Sequence, residues 1–198
     1  MERRKFLGSM GICSIGAGLC SILALPSANQ TQDTNTQLPG HSCKERIEFA
    51  EQWLKNFMRI LDENVDDQTR CRIMEANGSA CARDYLKSTG REIKPVPFEE
   101  WVDRVKKQGR SDAIQIEGNI IYYKYLKNYQ GLDAPEDFCL CPFVESKPEG
   151  LSATYCHCSV GYIKELFELT FDRPVKVELL ESVLRGNKRC KFKIELIS

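Results

Sequence analysis

Between Lys44 and Asn64 apolar residues recur at Ile47, Ala50, Leu54, Phe57, Met58 and Leu61, the three-and-four spacing of one helix face. Trp53 and Ile60 widen that stripe, so the helix is expected to pack on two neighbours. Asp66 or Asp67 can cap a second helix running to Ala76, where Asn77 and Gly78 supply a left-handed stop. Ser79 to Ser88 then reads as a further short helix, ended near Gly90. The segment KPVPFEEWVDRVKKQG has an extended, proline-marked start, acids in the first helical turn, bases in the last, and Gly109 as terminator.

The period then changes. Ala113 to Ile116 and Ile120 to Tyr125 are β-branched and aromatic runs separated by Glu117, Gly118 and Asn119, which predicts a hairpin. SVGYIKELFELTF is amphipathic, with Ile163, Leu166, Phe167 and Thr170 or Phe171 on one side. VKVELLES alternates from Val175, and CKFKIEL places Cys190, Phe192, Ile194 and Leu196 on one face against Lys191, Lys193 and Glu195. Arg185 to Lys188 between them reads as a turn. Helices dominate the first half and strands cluster in the second, so the pattern predicts a single α+β domain over residues 43–198.

The first 28 residues do not belong to that domain. Arg3 and Arg4 precede Phe6 and Leu7, a glycine-rich apolar run reaches Leu25, and small residues follow to Ala28. This resembles a twin-arginine export signal, although Glu2 and Gly8 depart from the usual pattern. The resemblance implies handling by the twin-arginine translocation machinery, export across a bacterial cytoplasmic membrane to the periplasm, cell envelope or exterior, and cleavage after Ala28. Retention as an anchor is the alternative, since about twenty residues from Phe6 to Leu25 just span a bilayer; the membrane would then be met only through the uncleaved signal. Ile12 and Leu19 precede Cys13 and Cys20, so no lipoprotein attachment is expected. Residues 29–42 are polar, nearly uncharged and aperiodic, and read as a disordered spacer.

Without the signal, 25 basic side chains face 27 acidic ones, a net charge near minus two. No broad positive field results, which excludes nucleic acid as an expected partner.

Candidate chemistry lies in the cysteines. FCLCPF places Cys139 and Cys141 two apart, and YCHCSVGY does the same for Cys156 and Cys158. In extended backbone, residues two apart face the same side, so each pair can present two thiolates to a common centre. Four thiolates suit a tetrahedral zinc site, and an iron–sulfur cluster is a second possibility. The eight cysteines outside the signal also suit disulfides in an exported protein, or free and redox-active thiols. Linking Cys139 to Cys141 directly would close a small strained ring. A metal inserted in the cytoplasm before export would keep the thiolates occupied until they met an oxidant. Cys71 and Cys81 read as core thiols, as a disulfide, or as further ligands. His157 can ligate metal, transfer protons, or simply be hydrogen-bonded. Tyr122, Tyr123, Tyr125 and Tyr129 can line an aromatic pocket or merely pack in the hairpin.

Cys156 to Ile194 resembles the closing segment of the 4-vinyl-reductase-type small-molecule-binding domains, which share a superfamily with haem-nitric-oxide sensors and trafficking-complex subunits. It is also similar to L-2-amino-thiazoline-4-carboxylic acid hydrolase-like proteins. The pattern rests on Cys156 or Cys158, Gly161 with Tyr162, Val175 to Glu178, Gly186, and Cys190 to Ile194, about forty of 198 residues. The resemblance implies a small-molecule pocket, to which Tyr162 would contribute, and a zinc held by Cys156 and Cys190 with Glu178 or Glu181. The family's intermediate cysteine is Ser182 here, and Cys139, Cys141 and Cys158 would replace it. The hydrolase-like relatives imply instead attack on a small C–N or C–S heterocycle, for which no catalytic set can be matched. The leading expectation is an exported zinc-binding domain with a small-molecule pocket; the alternative is such a hydrolase, or a thiol or iron–sulfur redox protein.

Overall fold

The computed structural model describes residues 42–109, 112–125, 128–129, 132–133, 139 and 149–197. Ser42 opens the first helix, α1 (Cys43–Asn64), with a reciprocal cap: its hydroxyl accepts from the Glu45 N–H, and the Glu45 carboxylate accepts from the Ser42 N–H. Asp66 caps α2 (Asp67–Thr89) by accepting from the Thr69 N–H, and Gly90 closes it in the left-handed region at φ 63°. An extended segment leads to α3 (Phe98–Lys107), tied on the way by the Val96 N–H donating to the Thr170 carbonyl at 2.8 Å.

Next come β1 (Ile114–Glu117) and β2 (Ile120–Lys124), then the two-residue strands β3 (Asn128–Tyr129) and β4 (Leu132–Asp133). A 3-10 turn at Ala153–Cys156 runs straight into α4 (His157–Phe171), followed by β5 (Val175–Glu181), a second 3-10 turn at Val183–Arg185, and β6 (Lys191–Leu196). The predicted α+β class is what the chain adopts. The main sheet is antiparallel in the order β1-β2-β6-β5, with β3 and β4 forming a separate ribbon.

Register assigns the two faces of the sheet. Ile121 lies opposite Ile194, Tyr123 opposite Phe192, and Val175, Val177 and Leu179 opposite Leu196, Ile194 and Phe192. These form the inner face, and α3 and α4 cover it. Trp101 of α3 meets Phe167 and Phe171 of α4 edge-on, with centroids 5.8 and 5.4 Å apart. The outer face pairs Lys176 with Glu195, Glu178 with Lys193 and Glu181 with Lys191, opposite charges directly across the ladder. A second, smaller core gathers Met58 and Leu61 of α1, Met74 of α2, Cys139, Leu151 and Tyr155.

Two expectations change. The break predicted at Asn77-Gly78 is absent, and α2 is one helix of 23 residues. Gly78 is needed not for a left-handed stop but for proximity: a Cβ there would lie 1.8 Å from the Cys158 carbonyl oxygen of α4. Cys71 and Cys81 accordingly share one helix. The hairpin turn is shorter than expected, because Glu117 pairs with Ile120 and leaves only Gly118, at φ 60°, and Asn119 between the strands. Among the described residues no helix is long and apolar enough to cross a membrane. The segment resembling an export signal and the spacer lie outside them, save Ser42.

Candidate functional site

The first turn of α4 separates the thiols that were expected to act together. Cys156 ends the 3-10 turn and Cys158 is the second residue of α4. Helical backbone turns about 100° per residue, so side chains two apart diverge by about 200° rather than pointing the same way. Cys156 is buried in the first core beside α4's sheet-facing residues Val160, Ile163 and Phe167. Cys158 packs at the margin of the second core and takes a 3.8 Å contact from the Asn77 amide nitrogen of α2. The extended geometry assumed for this pair is therefore corrected.

Each half of the motif acquires a different companion. Cys190, just before β6, is buried in the first core with Cys156, whereas Cys139 is buried in the second core, against which Cys158 packs. Cys141 lies outside the described residues. Among the described residues, no three His, Cys, Asp or Glu side chains are placed to hold a metal ion.

His157 has two partners on other elements. Its Nδ1 lies 3.3 Å from Glu75 Oε1 on α2, and its Nε2 lies 3.5 Å from Arg185 Nη2 in the turn after β5. With Nδ1–H donating to the carboxylate, Nε2 is left to accept from the guanidinium, so both ring nitrogens are engaged. A metal at either nitrogen would have to displace Glu75 or Arg185. Neither partner is signalled in the sequence, since Glu75 is 82 positions away and Arg185 is 28.

Cys71, one helical turn before Glu75, points its sulfur at Asp67 Oδ1, 3.9 Å away. Burial pushes its thiol pKa up, the carboxylates of Asp67 and Glu75 add to the shift, and Arg70 and Arg185 oppose it. The shift disfavours the thiolate, the form a nucleophile requires.

Glu178 and Glu181 stand across from Lys193 and Lys191 on the outer face of the sheet. The inner face and its cysteines lie on the other side, so Glu178 is placed away from Cys156 and Cys190. Ser182, at the position of the resembled family's intermediate cysteine, is fully buried, and its Oγ has no hydrogen-bond partner. Its backbone carbonyl accepts from the N–H groups of Arg185 and Asn187, which fixes the turn into β6.

The tyrosines do not converge on one space. Tyr123 and Tyr125 pack on Phe192 at the inner face, at 6.4 and 5.4 Å, while Tyr122 points to the outer face, its ring 5.7 Å from the Lys191 ammonium. Tyr162 belongs to α4, where its hydroxyl and that of Tyr85 on α2 are both buried without a hydrogen-bond partner. The side chain of Tyr129 is outside what the structure describes. A groove of about 550 Å³ opens elsewhere, between α1 and residues 149–152, lined by Gln52, Lys55, Arg59, Asp62, Glu149 and Leu151 among others. Leu151 belongs both to this groove and to the second core.

No curated protein matches the chain. Among solved structures it is similar to a trafficking protein particle complex subunit 3 from Naegleria fowleri, described as covalently bound to palmitic acid, with 13% sequence identity and a TM-score of 0.43 over 78% of this chain and 97% of that one. A likeness of that degree carries no statement about ligand or activity. A family model matches residues 27–198, and the chain belongs to that family, a family of unknown function designated DUF6144.

Proposed function

We propose that the domain binds a metal through thiolates of Cys139, Cys141 and Cys158, with zinc as the ion. The observation that carries this reading is that Cys139 is buried in the same small core against which Cys158 packs. Cys141, two residues beyond Cys139, supplies the third sulfur, and a set of this softness suits zinc or an iron–sulfur cluster better than a hard cation. Such a metal would brace the segment carrying Cys139 to the first turn of α4. Cys156 and Cys190, among the aromatic side chains of the first core, act as buried core thiols in this reading. His157 holds α4 to its neighbours.

The resemblance to 4-vinyl-reductase-type domains adds a small-molecule pocket to the proposal. The groove at Lys55, Arg59 and Asp62 carries both signs of charge and suits a small polar solute better than an aromatic one. Export with the metal already inserted would protect the thiolates from oxidation.

Elemental analysis and a visible spectrum of the anaerobically purified chain test the reading. About one zinc per chain is expected, with no visible band, and it should be lost in Cys139→Ser combined with Cys158→Ser but kept in Cys156→Ser and in Cys190→Ser. A folded, metal-free protein would sink it, and so would metal that survives the double substitution.

A further inference from the structure

α1 carries a second apolar face. Phe49, Trp53, Phe57 and Ile60 follow one another at steps of four, four and three residues and so lie on one stripe, and they are 73, 57, 39 and 50% exposed. The rings of Trp53 and Phe57 are stacked, 5.3 Å apart and 3° from parallel. Met58 and Leu61, which anchor α1 in the second core, occupy a different side of the helix.

The largest exposed apolar patch on a protein, typically a few hundred Å², is often functional. At about 150–250 Å² for a whole aromatic side chain, and with these exposures, the stripe offers roughly 450 Å². A stable protein interface needs about 800 Å² per partner, so a second copy seated on this stripe alone would not be held. A bilayer sets no such threshold: the apolar side of an amphipathic helix sinks to the headgroup boundary, where the tryptophan ring and its N–H are both accommodated.

The sequence holds one other apolar stretch that suits a bilayer. Its apolar run from Phe6 to Leu25 is separated from α1 by residues 26–42. Seventeen residues reach at most about 60 Å even when fully extended, so α1 stays close to any bilayer that holds that run.

We propose that α1 lies on the surface of a lipid bilayer through Phe49, Trp53, Phe57 and Ile60, with the run at residues 6–25 retained as an anchor in the same bilayer. Charges on α1 nearly cancel, with Lys44, Arg46, Lys55 and Arg59 set against Glu45, Glu48, Glu51, Asp62 and Glu63. Docking therefore needs no anionic lipid and changes little with salt.

The chain has two tryptophans, Trp53 on the stripe and Trp101 buried in the first core, so fluorescence separates contact from mere tethering. The full chain is reconstituted in phosphatidylcholine nanodiscs with and without brominated acyl chains, which quench nearby indoles. Expected is at least a twofold bromine-dependent loss of Trp53 emission, unchanged between 0.1 and 0.5 M salt, with no such loss in Trp53→Phe. Phe49→Asp combined with Phe57→Asp should abolish the quenching while the chain stays in the disc. Equal emission from the two kinds of disc overturns the proposal. Quenching that disappears in discs holding a single chain also overturns it and identifies a second copy as the cover.

Discussion

Gly78 of α2 and Gly161 of α4 meet at a helix crossing that leaves no room for a side chain on either. A Cβ on Gly161 would lie 1.8 Å from the Glu75 carbonyl oxygen, and one on Gly78 would lie 1.8 Å from that of Cys158. Ser79, beside Gly78, donates its hydroxyl to the Gly161 carbonyl at 3.1 Å. The obstructing atoms are backbone, so a new methyl can be accommodated only by moving the helices apart.

Gly78→Ala and Gly161→Ala should each destabilise the fold by about 3 kcal/mol, even though alanine gains about 1 kcal/mol in helix propensity. The double substitution should cost less than the sum, because one separation of the helices relieves both clashes. Urea denaturation of the three variants measures this. A gain in stability at either position would show that the helices do not cross so closely.

His157 should matter to packing and not to metal content. It joins α4 to Glu75 on α2 and to Arg185 in the turn before β6, with both nitrogens occupied. His157→Ala is expected to lower the unfolding midpoint and leave the content of the zinc proposed above unchanged. A double-mutant cycle with Glu75→Ala should show a coupling of about 0.5 kcal/mol, as for a partly exposed pair. Loss of metal from the single variant would make His157 a ligand instead.

Alkaline pH should probe the contact between α2 and α4. Burial pushes the Tyr162 phenol up to about 12, with Tyr85 and Cys81 adding and Arg91 opposing. A phenol whose folded pKa is raised contributes stability that is full below its unfolded value, about 10, and is lost as pH rises from there through 12. Stability measured from pH 8 to 12 should therefore fall above about pH 10, and Tyr162→Phe should flatten part of that decline. Because the hydroxyl has no partner, the same variant should be no less stable at pH 8, and more stable by up to about 1 kcal/mol.

The acid side should respond at the start of α2. The Thr69 side chain and N–H hold the Asp66 carboxyl below its usual range. A lowered folded pKa contributes stability that is present above the unfolded value of 3.8 and is lost as pH falls through the folded one. Asp66→Asn keeps an accepting oxygen and should remove this part of the acid decline, whereas Asp66→Ala should lower stability at neutral pH as well. Unfolding midpoints of the two variants at pH 7 and pH 2.5 decide it.

The α+β class, α1, α3, the body of α4 and the paired strands were legible in the chain, because each is written in a local period of burial. Phe192, Ile194 and Leu196 were placed on one face of a strand by alternation alone, and all three are buried. Asn77-Gly78 misled for a local reason: the pair is a common helix terminator, and nothing within a turn of it shows that α4 lies across that glycine. The same limit applies to the thiols. Cys-x-Cys presents two sulfurs together only in extended backbone, and the helix at His157–Phe171 begins one residue after Cys156.

By itself, then, the sequence determined which segments become helix or strand and which side of most of them is apolar, since propensity, caps and periodicity act over a few residues. Tertiary structure decided that Cys156 and Cys158 belong to different cores, that His157 answers to Glu75 and Arg185, and that Phe49, Trp53, Phe57 and Ile60 remain uncovered by the described chain. Those outcomes depend on which elements approach one another across separations such as the 82 positions between Glu75 and His157, and no local pattern encodes that approach.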